Sequence, residues 1–380
     1  MLKTFIGILF FTFCALQSGA QKNISIASQG AVISLQNEQR ASELVLGYKK
    51  IIQPGPQFLI SDDPEYIKIA DAIAMQENVQ PGSVRLYLYN VNGIKEKVNT
   101  KIIPVIKNMG NDDMHLRFIK FASHKPTENY FLTAKKVLYD YFSSSAIHKE
   151  VVTIKPGEIF AIDSNHEKNI AKFNELVHGI YEFTIDQPGQ VSVVQTDLKS
   201  SPEQVINNNT VLQKAGNAGR GLFGVSNYKI IVDTLIDTKN GLSQLTVADN
   251  KVDKWIESLN EDGKVIRNIG NYGVIYDIEM KWRSSDGKGL ALVIYNPYQS
   301  STSMCRSMAT AMFVSEGKFK KGPILLPSDR LNVKGIPQGV LVQIFTPSKR
   351  NEIQTIKFKY SPPGAACLPT PFLMIPVDIN

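Results

Sequence analysis

The chain has 380 residues, of which 43% are hydrophobic and 20% are charged. This composition is too apolar for an intrinsically disordered protein, and it contains no biased tract of the kind found in fibrous proteins. The 42 basic and 35 acidic side chains give a net charge of +7, but the basic residues are scattered, which indicates a solvated mixed surface. At about 150 residues per domain, the length predicts two domains.

The first 20 residues are predicted to be a secretory signal peptide. Lys3 precedes an apolar run over residues 4–16, and small residues at 18–20 fit a cleavage site. We therefore expect a mature protein that begins at Gln21 and is located outside the cell or in its wall. Export makes nucleic acid and nucleotides improbable partners. No later run reaches the about 18 apolar residues of a membrane span, so none is expected.

Short β-like segments dominate the first half of the chain. Residues 83–91 alternate polar and apolar side chains, which is the period of a half-buried strand. Further strands, separated by turn residues, are predicted at 101–106, 115–121, 150–154, 158–162, 179–185 and 190–195. Residues 63–76 and 131–142 are the only segments before residue 200 that favour helices.

The pairs of adjacent acids at Asp62-Asp63 and Asp112-Asp113 lie in predicted turns. They lack the alternating Asp and Asn ligands of a calcium-binding loop, so helix capping or solvation explains them better. The five histidines show none of the spacings typical of metal ligands. The sequence therefore predicts no metal site.

A polar stretch over residues 198–219 predicts a linker between two domains. It contains Asn208, and Asn23 and Asn208 both begin Asn-x-Ser/Thr triplets that accept N-linked glycans in an exported eukaryotic protein. Residues 219–224 spell GxGxxG, but a polar segment precedes them and a β-like segment follows, whereas a dinucleotide site needs a strand and then a helix. We therefore interpret residues 219–224 as a loop.

Strands resume after the linker and are predicted at 228–232, 242–247, 273–280, 290–295, 340–345 and 353–360. The predicted fold class is therefore mainly β, with two antiparallel β-sandwich domains in tandem, residues 21–197 and 220–380, and one or two short helices. No nucleophile elbow is present, and an SxxK match at 285–288 lies across a predicted turn. The sequence thus predicts no catalytic residue and no cofactor.

Carbohydrate contact is the binding function that the second half favours. A lysine-rich segment supplies Lys318, Lys320 and Lys321, which could hold an anionic polysaccharide, and Tyr295 and Tyr298 lie nearby in sequence. Exposed tyrosines can stack on sugar rings, although packing in a core is the ordinary role of such residues. Extracellular polysaccharide or wall proteins are therefore the expected partners.

Three segments carry a resemblance to a known group of proteins. They are residues 270–276 (GNYGVIY), residues 362–369 (PPGAACLP), and Pro64-Glu65 followed by residues 84–93 (VRLYLYNVNG). They resemble secreted bacterial proteins that carry a copper amine oxidase-like N-terminal (stalk) domain. The resemblance implies an extracellular, two-part, β-rich body; the stalk domain is not visible here, so copper and amine oxidation are not carried over. That group commonly has His where this chain has Tyr89 and Asn90.

The leader, the size and the glycosylation triplets also resemble the spherulins of plasmodial slime moulds, which are exported during encystment. This resemblance implies a role in a coat or wall. The resulting hypothesis is a secreted, glycosylated, non-catalytic structural protein of an extracellular coat or cell wall, made during encystment. The alternatives are a carbohydrate-binding module for wall polysaccharide and a secreted glycoside hydrolase.

Removal of the leader takes Cys14 away and leaves Cys305 and Cys367 in an oxidising compartment. We predict that these two form a disulfide, which would stabilise the fold by about 4 kcal/mol through closure of a long loop; two separate buried thiols are the alternative. A non-reduced proteolytic digest of the secreted protein should yield a peptide pair joined through these residues. Mass-spectrometric detection of two free, alkylatable thiols would contradict the bridge.

Overall fold

The computed structural model describes residues 24, 27–35, 44–144, 150–215, 219–260, 262–295, 310–326, 338–366, 368–369 and 371–379. The fold is mainly β, with 48% strand and 10% helix, which confirms the predicted fold class. Cys305, Cys367, Asn23 and Tyr298 lie outside the described residues, so the disulfide and the first glycosylation triplet stay predictions.

The strands before residue 200 are β1 Val32–Ser34, β2 Leu44–Val45, β3 Tyr48–Gln53, β4 Gln57–Ser61, β5 Tyr66–Ile67, β6 Ala72–Val79, β7 Gly82–Asn92, β8 Lys101–Asn108, β9 Met114–Ser123, β10 Val151–Ile154, β11 Ile159–Ala161, β12 Leu176–Ile185 and β13 Gly189–Thr196. Those after it are β14 Arg220–Phe223, β15 Asn227–Val232, β16 Ile236–Asp237, β17 Ser243–Leu245, β18 Glu257–Leu259, β19 Val265–Arg267, β20 Ile275–Arg283, β21 Gly289–Tyr295, β22 Ala311–Val314, β23 Gly322–Leu325, β24 Gln338–Phe345, β25 Gln354–Tyr360 and β26 Phe372–Val377. The helices are α1 Tyr130–Ser143, α2 Ser164–Lys168, α3 Pro202–Asn208 and a 3-10 turn at Thr238–Asn240.

The predicted helix at 131–142 is confirmed as α1, which begins where the side chain of Asn129 accepts a hydrogen bond from the Leu132 amide at 3.1 Å. The predicted helix at 63–76 is wrong. That segment forms β5 and the first part of β6, because β6 pairs with β13 along most of its length. Cross-strand packing overrides a local helical pattern here.

The first sandwich consists of two sheets with a shared apolar core. Sheet 1 has the strand order β10-β9-β12-β7-β4-β14, with β5 also paired to β7, and sheet 2 has the order β11-β8-β13-β6. Leu86, Leu88 and Phe183 of sheet 1 pack with Met75 and Ile106 of sheet 2. The long β7–β12 pairing, in continuous antiparallel register over ten residue pairs, forms the centre of sheet 1.

The second sandwich is built the same way. Sheet 3 has the order β23-β22-β25-β20-β15-β3, with β16 beside β20, and sheet 4 has the order β1-β24-β21-β26-β17-β2. Trp282 and Phe358 of sheet 3 pack with Leu292 and Phe372 of sheet 4. The same buried cluster continues to Tyr87 on the outer face of sheet 1, so the two sandwiches meet through apolar contacts.

The sheets do not follow the predicted division at residues 198–219. Strands β1, β2 and β3 pair with strands of the second half, whereas β14 pairs back with β4. Residues 219–224, interpreted above as a loop, therefore contain an edge strand. The strand at the edge of a sheet has unpaired backbone groups, which can pair with any compatible segment, near or distant in sequence.

The predicted linker itself contains ordered structure. Helix α3 begins with a capping box formed by Ser201 and Gln204 and buries Val205 against sheet 2. Further along, the Leu212 amide donates to the Ile73 carbonyl at 2.9 Å. Asn208, the predicted glycosylation site, is exposed at the last position of α3.

A buried arginine ties the two halves together. Arg85 on β7 is 3% exposed and forms an ion pair with Glu182 on β12 at 2.9 Å. Its guanidinium also donates to the Ser226 carbonyl at 3.1 Å and to the Asn227 side chain at 2.9 Å, both next to or within β15 of the second sandwich. Tyr141 on α1 donates a further hydrogen bond to Glu182 at 2.5 Å.

We predict that Arg85→Met lowers the free energy of unfolding by about 3 kcal/mol, because removal of one partner leaves the Glu182 charge desolvated and uncompensated. The matched control is Arg267→Met, which removes an ion pair with Glu257 whose side chains are 56% and 52% exposed; such a pair contributes less than about 1 kcal/mol. Urea unfolding measures both, and equal losses would contradict the role given to Arg85.

Candidate functional site

A cavity of about 460 Å³ lies where the two sandwiches meet the start of helix α1. It is lined by aromatic side chains, two carboxylates and a short glycine–alanine segment, which together we call the tyrosine pocket: Asp62, Glu65, Tyr66, Tyr89, Tyr130, Phe131, Ile269, Tyr272, Gly364, Ala365 and Ala366. All three segments that carry the resemblance described above contribute to this lining. The fold thus brings together segments that lie far apart in sequence.

Two glycines permit this convergence. Gly273 has φ +75°, a conformation that favours glycine, and a Cβ there would lie 2.7 Å from the Tyr87 ring. The Gly364 amide donates to the Tyr87 hydroxyl at 2.7 Å, and a Cβ on Gly364 would lie 2.3 Å from the Tyr89 ring. Both segments therefore rest directly on the tyrosines of β7, and side chains at either position would push them away.

A hydrogen-bond network holds the loop that carries Tyr272. Asn271 adopts φ +52°; its side chain accepts from the Ile256 amide at 2.8 Å and donates to the Tyr276 hydroxyl at 2.7 Å. Asn268 donates to the Tyr272 carbonyl at 2.8 Å. The two asparagines within residues 268–272 therefore fix the conformation of this loop. The fixed loop places the Tyr272 ring in the pocket wall.

The tyrosines form a wall that is buried at its base and open at its rim. Tyr89 is 4% exposed, whereas Tyr66 is 38% exposed. Tyr130 donates to the Asn174 carbonyl at 2.9 Å, and its hydroxyl lies 3.4 Å from that of Tyr66. Rings fixed in this way present flat apolar surfaces to a ligand at little cost in conformational entropy.

Two carboxylates lie among these rings. Asp62 is 8% exposed; burial raises its pKa well above the usual range, and the neighbouring Glu65 and Asp63 charges raise it further. Burial also raises the pKa of Glu65. Within the described residues, neither the Asp62 nor the Glu65 carboxylate has a hydrogen-bond or ion-pair partner. The pocket therefore offers unfilled acceptor groups beside aromatic surfaces.

His178 lies beneath the floor of the pocket. Its ring makes edge contacts with Tyr87 and Tyr89 at centroid distances of 5.0 and 5.3 Å, and its Nδ1 lies 2.5 Å from the Leu88 carbonyl oxygen. Burial lowers the pKa of His178 to about 4. The residue is therefore a neutral packing group at physiological pH.

The polysaccharide contacts predicted from the sequence lie elsewhere. Lys318, Lys320 and Lys321 are exposed around the start of β23, and the Lys320 ammonium lies 3.5 Å from the hydroxyl of Tyr139, near the opposite end of α1 from the pocket. Tyr295 is 7% exposed and donates to the Gln244 side chain at 3.2 Å. A ring buried to this extent has no free face for a sugar.

Sequence reasoning missed the pocket because its members have ordinary local contexts. Asp62 and Asp63 were expected to be solvated or capping residues of a turn, but both are buried. By contrast, Asp112 and Asp113 are exposed, as a solvated turn requires. The usable signal was the set of glycine- and tyrosine-rich segments, although their mutual contact is not visible in the sequence.

No family model and no curated protein matches this chain. The solved structures with weak similarity to this chain include mycobacterial arabinofuranosyltransferase AftD (8% identity, 87% of this chain, 34% of that chain, TM-score 0.16), the multicopper oxidase Fet3p (9%, 74%, 51%, 0.11), and the CUB1-EGF-CUB2 region of human MASP-1/3 (9%, 76%, 99%, 0.11). The chain spans about a third and a half of the length of the first two. Similarity at these TM-scores carries no functional argument.

The described residues include no helix with the length and apolar character of a membrane span. They also contain no group of three or more His, Cys, Asp or Glu side chains placed to hold a metal ion.

We predict that acid destabilises the protein through His178. The His178 side chain binds a proton in the unfolded chain near its ordinary pKa of 6.5, whereas in the folded protein its pKa is about 4. The stability that it contributes is therefore full above the unfolded pKa and falls as the pH decreases below it. Between pH 7 and pH 5 this linkage costs about 2 kcal/mol, and urea unfolding at the two pH values should show that His178→Gln reduces the pH dependence by about that amount.

The comparison for that measurement is His115→Gln, because the His115 side chain is 54% exposed and its ion pair with Asp186 lies at the surface. Exposed ion pairs contribute little to stability, so this variant should change the slope of stability against pH less than His178→Gln does. An unchanged slope in His178→Gln would show that other groups cause the acid sensitivity.

Proposed function

We propose that this protein acts outside the cell as a non-catalytic component of a coat or wall, and that it binds a carbohydrate of that structure in the tyrosine pocket. The observation that carries the proposal is the combination, in one solvent-accessible cavity, of fixed tyrosine rings with two carboxylates that have no partner among the described residues. The signal peptide, N-linked glycosylation and a role during encystment belong to the same proposal and rest on the sequence.

The chemistry of a sugar matches the two kinds of surface in the pocket. The C–H face of a pyranose ring stacks on aromatic rings, and Tyr66, Tyr130 and Tyr272 supply such rings near the rim. The hydroxyl groups around the sugar donate hydrogen bonds, and the Asp62 and Glu65 carboxylates accept them. A cavity of about 460 Å³ falls within the usual range for small-ligand sites.

Glycoside hydrolysis is a second candidate because the pocket contains two acids. Burial raises the pKa of Asp62, as is required of a carboxylic acid that protonates a leaving group. Hydrolysis also requires a second carboxylate that stays ionised as nucleophile or base. Burial raises the pKa of Glu65 as well, so the pair lacks the opposite shifts of a catalytic pair, and binding fits the pocket better.

We predict that Tyr66→Ala weakens binding to a responding wall polysaccharide about fivefold, because a stacking surface at the rim is lost; such aromatic contacts contribute about 1 kcal/mol. A panel of purified wall polysaccharides, tested by pull-down and then by calorimetry, identifies the responding ligand. Tyr66 is 38% exposed, so the variant should retain the wild-type unfolding midpoint.

Tyr139→Ala is the matched control. Tyr139 lies on the same helix as Tyr130 but contacts Lys320 of the lysine-rich segment and not the tyrosine pocket. If Tyr139→Ala weakened binding while Tyr66→Ala did not, the binding site would be the lysine-rich end, and the proposal for the tyrosine pocket would be wrong.

A further inference from the structure

We propose that the tyrosine pocket selects a cationic sugar, with the ammonium group of an amino sugar located between Asp62 and Glu65. This inference rests on the proposed carbohydrate-binding function and adds the class of ligand. It is argued from the charge of the lining, the missing partners of the two carboxylates and the aromatic rings around them.

The lining of the pocket is acidic without compensation. Among the described residues that form it, Asp62 and Glu65 are the carboxylic acids, and no Lys, Arg or His is present. Ionisation of both acids in a partly desolvated cavity is costly, because the two charges repel one another and each loses hydration that no described lining residue replaces. A ligand with a positive charge offsets the repulsion between the two carboxylates and replaces their lost hydration. A neutral ligand replaces only part of the lost hydration.

Three other buried carboxylates of this chain, unlike Asp62 within the described residues, form ion pairs with basic side chains. Glu182 pairs with Arg85, Asp253 pairs with Lys50, and Asp237 pairs with Arg283 at 2.8 Å. In each of these sites the protein supplies its own cation. Asp62 is buried to a similar degree but has no such partner among the described residues. This difference indicates that the cation at Asp62 comes from a ligand.

The tyrosines favour an organic cation over a bare metal ion. The quadrupole of an aromatic ring attracts an ammonium group above its face, and Tyr89, Tyr130 and Tyr272 line the cavity around the two acids. A divalent ion would need more oxygen ligands. The adjacent acid, Asp63, already accepts a hydrogen bond from the Ala215 amide at 2.6 Å.

An amino sugar combines every feature of the lining. Its C–H face stacks on the rings at the rim, its hydroxyl groups donate to carboxylate oxygens, and its ammonium group provides up to three further donors with a positive charge. Hydrogen bonds between ionised partners are roughly twice as strong as neutral ones. A free amine should therefore bind better than the same sugar with an acetylated nitrogen.

The test compares two oligosaccharides of equal length, a chitosan oligomer with free amines and the corresponding fully N-acetylated oligomer. Calorimetry at low salt and about pH 6, where the amines of the oligomer carry protons, should show at least tenfold tighter binding of the amine form, and added salt should reduce the difference. In Asp62→Asn and Glu65→Gln the preference should fall to about twofold or less. Asp112→Asn, an exposed acid outside the pocket, should leave it unchanged.

The outcomes separate the two proposals. Equal affinity for both oligomers, with loss of both in Tyr66→Ala, would overturn the cationic ligand while the carbohydrate-binding function stands. Binding of tetramethylammonium without binding of any sugar would overturn the amino-sugar assignment and the proposed function together. If Asp62→Asn fails to fold, Glu65→Gln alone decides, because Glu65 is only partly buried; an undiminished preference in that variant would reject the inference.

Discussion

The close approach of two glycines to the tyrosines of β7 is the constraint on which the site depends. Gly273 belongs to the loop before β20 and Gly364 to the segment after β25, and both lie against the rings of Tyr87 and Tyr89. Without these contacts the second sandwich could not place Tyr272 and Ala366 beside Asp62. The pocket is therefore a product of the junction and belongs to neither sandwich alone.

The sequence predicted the strands well and the arrangement of the strands less well. Alternation of polar and apolar residues located β7, β12 and β15 to within a few residues. The expectation that β7 is half-buried was wrong, because its second face packs at the junction of the two sandwiches. Sheet order depends on contacts between distant segments, which alternation does not encode. Thus the pairing of β3 with β15 and of β14 with β4 was not foreseen.

The candidate site could not be predicted from the sequence either, but for a different reason. Tyr66 and Tyr130 occupy positions typical of ordinary strand and helix residues, and Asp62 sits in a turn-like context. Only the three-dimensional junction reveals that they face one cavity. What local sequence could show was the need for unusual backbone, as at Asn271 and Gly273, whose positive φ angles mark the loop that closes the pocket.

The pairing of N-terminal strands with the C-terminal half has a consequence for the order of events during synthesis. Gln29 donates to the Val342 carbonyl across a separation of 313 residues, and β1 pairs with β24. Strand β1 must therefore wait for β24 to be synthesised before the second sandwich can close. Domination by such distant contacts slows folding and leaves strand edges exposed in the meantime. A chain with this topology stays accessible to chaperones for longer than one built from hairpins of adjacent strands.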